Sequence, residues 1–235
     1  MKPPLTLGIE TSNPSAAPPS VALLPGLPTG ATGAQEVLWR ETVGTQPHTD
    51  DLITAIDRLF RRAGRQPRDL TAVAVSAGPG GYTAVRIAIA TAKMICEATG
   101  AACHAVPTAH AVAARVVHGG VFGVGLGSKG ESVFVTRFEA RADGGSVRAL
   151  DQGRLITAAD LAALSASLLV VDRFVPPTVA ARAAELGIGV RAPEFDAVAV
   201  AELAAAFAPV DPAALAPIYP REPEAVTKWR QLKGG

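Results

Sequence analysis

The hydrophobic and polar positions along the chain form strand-like and helix-like patterns, which follow one another in a repeating order. Three short apolar runs near the N-terminus predict strands, at residues 5–9, 20–24 and, more loosely, 36–41. From about Thr49 to Ala63, apolar residues recur every three or four positions, which is typical of an amphipathic helix. The continuously apolar run Thr71–Ser76 predicts a strand buried on both faces, and a second helical pattern covers Tyr82–Ala98.

The same order recurs in the second half of the chain. Strands are predicted at 121–126, 133–138, 153–156, 168–172 and 188–191, and helices after Thr157, at 177–186 and at 198–207. A unit used twice favours two similar α/β lobes with a cleft between them. We therefore predict an N-terminal, partner-binding lobe (1–106), a C-terminal lobe (107–208) and an extended, Pro-rich, then basic tail (209–235) on the surface. Residues near 100–107 are expected to join the lobes.

Composition excludes several classes of protein. The chain has 235 residues, of which 49% are hydrophobic and 18% charged, enough for a sizeable core. A formal net charge of +1 gives no electrostatic reason for strong nucleic-acid binding by the chain alone. Two cysteines, Cys96 and Cys103, make no disulfide framework and favour a cytoplasmic setting. Apolar runs too short to cross a bilayer argue against a membrane protein.

A glycine-rich loop, Ser76-Ala-Gly-Pro-Gly-Gly-Tyr-Thr-Ala-Val-Arg86, connects the buried strand to the second helix. Glycines in this position often cradle a phosphate. A Walker loop would need lysine after Gly81, where Tyr82 stands, and a dinucleotide fingerprint would need glycine in place of Thr83. The loop is therefore predicted to serve mainly as a tight turn that begins the helix.

The helix after this loop is apolar around most of its circumference. Its charged residues, Arg86, Lys93 and Glu97, lie within about 40° of one another on a helical wheel. A helix of this kind must be buried on several sides, either inside a large core or against a partner protein. Small residues on this helix would let another helix approach closely; they are Ala84, Ala88 and Ala92.

Three segments together resemble one family: 47–52, 76–86 and 217–221. The central one is similar to the G-P-G-S/G-F/Y-T-G-x-R signature of the bacterial TsaB (YeaZ) family. The resemblance implies a two-lobed actin/hexokinase-like (ASKHA, ribonuclease H-like) α/β fold, with a mixed sheet and helices in each lobe. It also implies a non-catalytic subunit of the machinery that makes N6-threonylcarbamoyladenosine (t6A) at A37 of tRNA.

In that family the subunit pairs with catalytic TsaD and works with the ATPase TsaE. The two helices of the N-terminal lobe form the surface that binds TsaD or a second TsaB. The resemblance thus implies a homodimer when the chain is alone, and contact with tRNA only through the complex. The partner interface that it implies consists of Leu52, Ile53, Ile56, Phe60, Tyr82, Val85, Arg86, Ile89, Ala92, Lys93 and Cys96.

The chain departs from the family at the positions where a small molecule would bind. Glu10-Thr11 replaces the usual Asp-Thr, and Leu126-Gly-Ser-Lys129 replaces an Asp-Ala-Arg run. No intrinsic cofactor is expected, beyond weak ATP or ADP binding at the inter-lobe cleft or a subunit interface. The possible nucleotide or anion site comprises Glu10, Thr11, Ser12, Gly80 and Gly81.

Two other functions compete with this interpretation. An ASKHA-fold ATPase or small-molecule kinase would need carboxylates to hold Mg²⁺, and Glu10 is the one acid at a plausible strand end. A metal-dependent glycoprotease would need a histidine pair such as TsaD carries at the start of its second lobe. Here that region holds His110 alone, and the four histidines are never three or four residues apart. No metal site is predicted.

Overall fold

Two mixed β-sheets, one from each half of the sequence, carry the helices on their faces. The computed structural model describes residues 3–13, 15, 17–27, 37–44, 51–141, 147–221 and 229. This architecture confirms the predicted two-lobed α/β fold. No helix in these ranges is both long and apolar enough to cross a bilayer.

The sheet of the first lobe has the strand order β3-β2-β1-β4-β5. Its strands are β1 (Leu5–Glu10), β2 (Ser20–Pro25), β3 (Trp39–Thr42), β4 (Leu70–Ser76) and β5 (Ala102–Val106). Strand β1 pairs antiparallel with β2 and parallel with β4, and β4 pairs parallel with β5. Residues 102–106 therefore form an edge strand, where the sequence predicted a connection between lobes. Strand β4 offers an edge for pairing there, and Cys103 and Val106 become buried by it.

Helices cover both faces of this sheet. Helices α1 (Asp51–Arg62) and α2 (Tyr82–Thr99) share one face, since both pack in the same core with Leu7 of β1. The predicted start of α1 at Thr49 lies outside the described residues. The opposite face is covered by the short helix α5 (Ala197–Glu202), which comes from the second half of the chain. Gly8 faces α5, and a Cβ atom there would lie 2.1 Å from the Ala197 carbonyl oxygen.

The second sheet has the order β11-β10-β6-β7-β8, with β9 also paired to β7. Its strands are β6 (Gly120–Lys129), β7 (Ser132–Ala140), β8 (Val147–Ala149), β9 (Arg154–Ile156), β10 (Leu168–Val171) and β11 (Gly189–Arg191). Two further helices are α3 (Thr108–Ala113) and α4 (Pro177–Glu185). The helix predicted after Thr157 is a 3₁₀ helix, Ala158–Leu164, and the one predicted at 198–207 ends at Glu202, before a 3₁₀ turn.

The segment after α5 returns to the first lobe. Val210 forms an isolated antiparallel bridge with Cys103 on the edge strand β5. Leu215 is buried in the core between the sheet and α2, which differs from the predicted surface tail. The end of the predicted tail, 222–235, lies outside the described residues except for Trp229.

Candidate functional site

The carboxyl end of β1 carries three buried polar residues at the junction of the lobes. One Glu10 carboxyl oxygen, Oε1, accepts a hydrogen bond from the Ser12 backbone N–H at 2.6 Å. The Thr11 hydroxyl donates to the Ala84 carbonyl at 3.1 Å, which ties the strand to α2. The other carboxyl oxygen of Glu10 is buried and has no partner at hydrogen-bonding geometry within the described residues.

Burial is the main influence on the Glu10 carboxyl, and it raises the pKa of this group above its ordinary value of 4.5. The dipoles of Ser12 and Ser76 beside it oppose the rise, and the negative charge of Asp196 adds to it. The protonated form is therefore favoured over a wider pH range than for an exposed glutamate. A neutral carboxyl is a poor ligand for Mg²⁺, which prefers charged oxygens.

This burial predicts a pH dependence of stability. The Glu10 carboxyl holds its proton more tightly in the native state than in the unfolded chain. Its contribution to the free energy of unfolding is therefore complete below about pH 4.5. It is lost as the pH rises through the folded pKa. We expect the free energy of unfolding of the wild type to fall relative to Glu10→Gln across that range, as measured by urea denaturation. Glu194→Gln, which changes an exposed carboxyl on the loop before α5, is the control. If the free energy of unfolding changed with pH in the same way for the wild type and Glu10→Gln, the burial of Glu10 would be contradicted.

The glycine loop packs against the end of β1. The Gly81 N–H donates to the Ser12 carbonyl at 2.5 Å, and a Cβ atom on Gly80 would lie 2.3 Å from the same oxygen. The structure thus brings together the five residues of the possible nucleotide or anion site: Glu10, Thr11, Ser12, Gly80 and Gly81. Glu10 Oε1, the Thr11 hydroxyl and the Gly81 N–H bond to the chain's own atoms, and this arrangement favours a structural turn. Glu10 Oε2 and the Ser12 hydroxyl are buried without a hydrogen-bond partner among the described residues.

Two residues of the cleft were missed by the sequence analysis. Asp172 is buried directly after β10, and its Oδ2 accepts a hydrogen bond from the Asn13 side chain at 2.7 Å. Its Oδ1 accepts from the Phe174 N–H at 2.9 Å. An acid that follows a buried parallel strand is a common sign of a functional position. The apolar run Leu168–Val171 directly before Asp172 was the sequence signal that could have identified it. Asp172 is thus an acid of the second lobe at the cleft, and its hydrogen bond with Asn13 links the lobes.

Metal-binding geometry is not found in the described part of the chain, where no three His, Cys, Asp or Glu side chains cluster suitably. His110 lies in α3, its ring edge-on to Phe138 and Phe207 at centroid distances of 5.1 and 5.2 Å. Burial lowers the pKa of His110, so the neutral form is favoured. Both cysteines are buried free thiols. His48 lies outside the described residues.

The predicted partner-interface residues divide into two groups. Seven belong to the core of the first lobe: Leu52, Ile56, Phe60, Val85, Ile89, Ala92 and Cys96. The others are exposed or half-buried: Ile53, Tyr82, Arg86 and Lys93. Ala88 and Ala92, which were expected to permit approach of a partner, are fully buried in the monomer. Periodicity identifies an apolar arc but does not tell which part of it faces the sheet.

The solvent-facing side of α2 has an apolar half and a polar half. Ile87 and Met94 are 48% and 59% exposed, and with Ala90 they lie within about 60° on the helical wheel. On the polar side, the Lys93 ammonium donates to the Ala213 carbonyl at 3.1 Å. That segment runs along β5, whereas α1 packs over β2 and β3. The apolar half therefore points towards α1, where Ile53 is 50% exposed.

Comparison with known proteins gives a family match for part of the chain. Residues 42–128 match the family model described as TsaD, tRNA N6-adenosine threonylcarbamoyltransferase. The matched range contains α1, the glycine loop and α2. A sequence search of curated proteins finds no match.

Two solved structures from Pseudomonas aeruginosa are similar over nearly the whole chain. One, described as similar to peptidase YEAZ, is 19% identical, with a TM-score of 0.67 over 93% of this chain and 100% of its own. The other is YeaZ, 18% identical, with a TM-score of 0.64 over 92% of this chain and 99% of its own. The resemblance predicted from the sequence is confirmed: the chain has the two-lobed fold of YeaZ and matches the TsaD family model over residues 42–128.

Proposed function

We propose that this protein is a TsaB-like, non-catalytic subunit of the machinery that makes t6A at A37 of tRNA. It binds a TsaD-like catalytic subunit through the outer surfaces of α1 and α2 and works with a TsaE-like ATPase. Contact with tRNA is made through the complex. The observation that carries this proposal is the exposed apolar surface formed by Ile53, Ile87, Ala90 and Met94, which we call the outer stripe.

The cleft between the lobes supports a non-catalytic role. Phosphoryl transfer needs ionised carboxylates around Mg²⁺ and backbone N–H groups directed at phosphates. Here the Glu10 carboxyl is buried with a raised pKa, and the Asp172 carboxylate is bonded to Asn13. The Gly81 N–H is directed at the Ser12 carbonyl. Glu10 Oε1, the Asp172 carboxylate and the Gly81 N–H, which could serve a substrate, thus bond to other parts of the chain.

The outer stripe suits a helical partner. Ile87, Ala90 and Met94 lie on one side of α2, and Ile53 is exposed on α1, which covers the same sheet face, so helices from another protein can pack against them. A stable interface of this kind buries roughly 800 Å² on each side. In the absence of a TsaD-like protein, the outer stripe of one copy of the chain would pack against the outer stripe of a second copy, which gives the expected homodimer.

A glutamate placed in the outer stripe tests the proposal. In Ile87→Glu and Met94→Glu the new charge is solvated in the monomer but loses water, without a partner, in the complex. We expect both variants to fold normally and to bind the TsaD-like protein of the same organism about 100-fold more weakly or worse. Titration calorimetry measures the affinity, and sedimentation measures self-association.

The matched control is Val117→Glu, which adds the same charge at an 80% exposed valine in the second lobe. It should bind as the wild type does. Wild-type affinity for the TsaD-like protein in both stripe variants would refute the proposed interface. Loss of self-association alone, with TsaD binding intact, would assign the stripe to homodimers and contradict the heterodimer.

A further inference from the structure

The segment from Val210 to Arg221, which we call the strap, is anchored firmly to the first lobe. The Val210 N–H donates to the Cys103 carbonyl at 2.8 Å, and the Ile218 N–H donates to the Ala77 carbonyl at 2.7 Å. Between these points Leu215 is inserted into the core beneath α2. This end of the strap is held by backbone hydrogen bonds and apolar burial, so it cannot leave without disrupting the lobe.

The strap also contacts the polar side of α2. Tyr219 stacks on Tyr82 at the first turn of the helix, with ring centroids 5.6 Å apart and an interplanar angle of 27°. Arg86 lies over the Tyr82 ring at 4.9 Å. Further along, Lys93 donates to the Ala213 carbonyl. The strap is thus bound to the same helix that presents the outer stripe.

Beyond Tyr219 the strap crosses to the second lobe, where it binds the turn between β6 and β7. The Arg221 guanidinium donates to the Lys129 carbonyl at 3.1 Å and to the Ser132 carbonyl at 3.4 Å, and it also bonds the Ser132 hydroxyl. Pro220 approaches Gly127 so closely that a Cβ atom there would lie 3.0 Å from the proline ring. Within the described residues 210–221, the anchors on this side are the Arg221 guanidinium and the Pro220 ring contact.

The crossing lies directly over the glycine loop. A Cβ atom on Gly78, whose φ is +103°, would lie 2.8 Å from the Ile218 carbonyl oxygen. The lobes meet at this point, and on the inside of the cleft the Asn13–Asp172 hydrogen bond joins them too. A rotation of one lobe against the other must therefore break the strap's contacts at one end.

We propose that the strap is a clamp that holds the two lobes at one relative angle and connects α2 mechanically to the β6–β7 turn. The weaker anchor is at the second lobe, so the clamp opens by release of Arg221 and Pro220 while Leu215 stays in place. The clamp acts in the isolated chain and does not depend on the proposed role in tRNA modification.

Distance measurement between the lobes tests the clamp. Spin labels at Arg68→Cys in the first lobe and Ala181→Cys on α4 occupy exposed sites away from the strap. The native cysteines are buried, which shields them from labelling. By double electron–electron resonance, the wild type should give one narrow distance distribution. Arg221→Ala should broaden it, and Tyr219→Ala/Arg221→Ala should broaden it further.

Arg191→Ala is the matched control, because Arg191 also donates to a backbone carbonyl, that of Val117 at 3.2 Å, but within the second lobe. Its distribution should equal that of the wild type. Unchanged distributions in both Arg221→Ala and the double variant would overturn the clamp. Broadening in Arg191→Ala equal to that in Arg221→Ala would also overturn it, since the effect would then not depend on the strap.

Discussion

Replacing Gly8 with alanine is expected to lower the free energy of unfolding by about 3 kcal/mol. The new methyl group would lie 2.1 Å from the Ala197 carbonyl oxygen and 2.9 Å from the Ala201 methyl group. Contacts below 3 Å with backbone cannot be relieved by turning a side chain, so α5 must move away from β1. That movement would open the packed face of the first sheet. Urea denaturation followed by circular dichroism measures the change.

Gly189→Ala provides the comparison, because it makes the same substitution in a strand with room for it. The nearest atoms to a Cβ at Gly189 are 3.6 Å away, an ordinary van der Waals contact. Its effect should stay within about 0.5 kcal/mol. Equal losses in Gly8→Ala and Gly189→Ala would show that close packing of α5 is not the cause.

Ile89→Glu is expected to unfold the protein or leave it largely insoluble. Ile89 is 4% exposed in the core between α2 and the sheet, where a carboxylate would have no partner. The cost of burying that charge, several kcal/mol, is comparable with the whole stability of a typical domain. Ile87→Glu, two residues earlier on the same helix, should keep the wild-type circular dichroism spectrum and melting temperature. Soluble yield and thermal melting distinguish the two.

The pair of substitutions reports which side of α2 faces the sheet. If Ile89→Glu folded as well as Ile87→Glu, the assignment of the inner and outer sides would be wrong. The outer stripe would then have to be redrawn, because its members are chosen by their exposure on α2.

Local patterns predicted most strands and helices of this fold, but not how they assemble. The apolar run Thr71–Ser76 was enough to place β4 and its burial, because a strand covered on both faces has few polar residues. Helix α2 was predicted with nearly its observed bounds. Residues 102–106 were predicted as a connection, since a run as short as Ala-Cys-His-Ala-Val becomes a strand only when a neighbouring edge is available.

In the candidate site too, local features could be predicted from the sequence, whereas contacts between distant segments could not. Glu10 and Ser12 lie beside the glycine loop because β1 and β4 are adjacent parallel strands, whose carboxyl ends lie at the same edge of the sheet. The Asn13–Asp172 contact joins residues 159 positions apart, and no local pattern encodes such a pairing. The inner and outer sides of α2 could not be separated either, because Ile87 and Ile89 are chemically identical and differ only in what lies opposite them.

The position of α5 has a consequence for how the protein is made. Strands β1 to β5 leave the ribosome first, yet the face of their sheet that carries Gly8 is covered by residues 197–202. Leu215, which completes the opposite face, emerges later still. The apolar faces of the nascent first lobe therefore stay uncovered until residues 197–215 have been synthesised, a period in which chaperones would protect them.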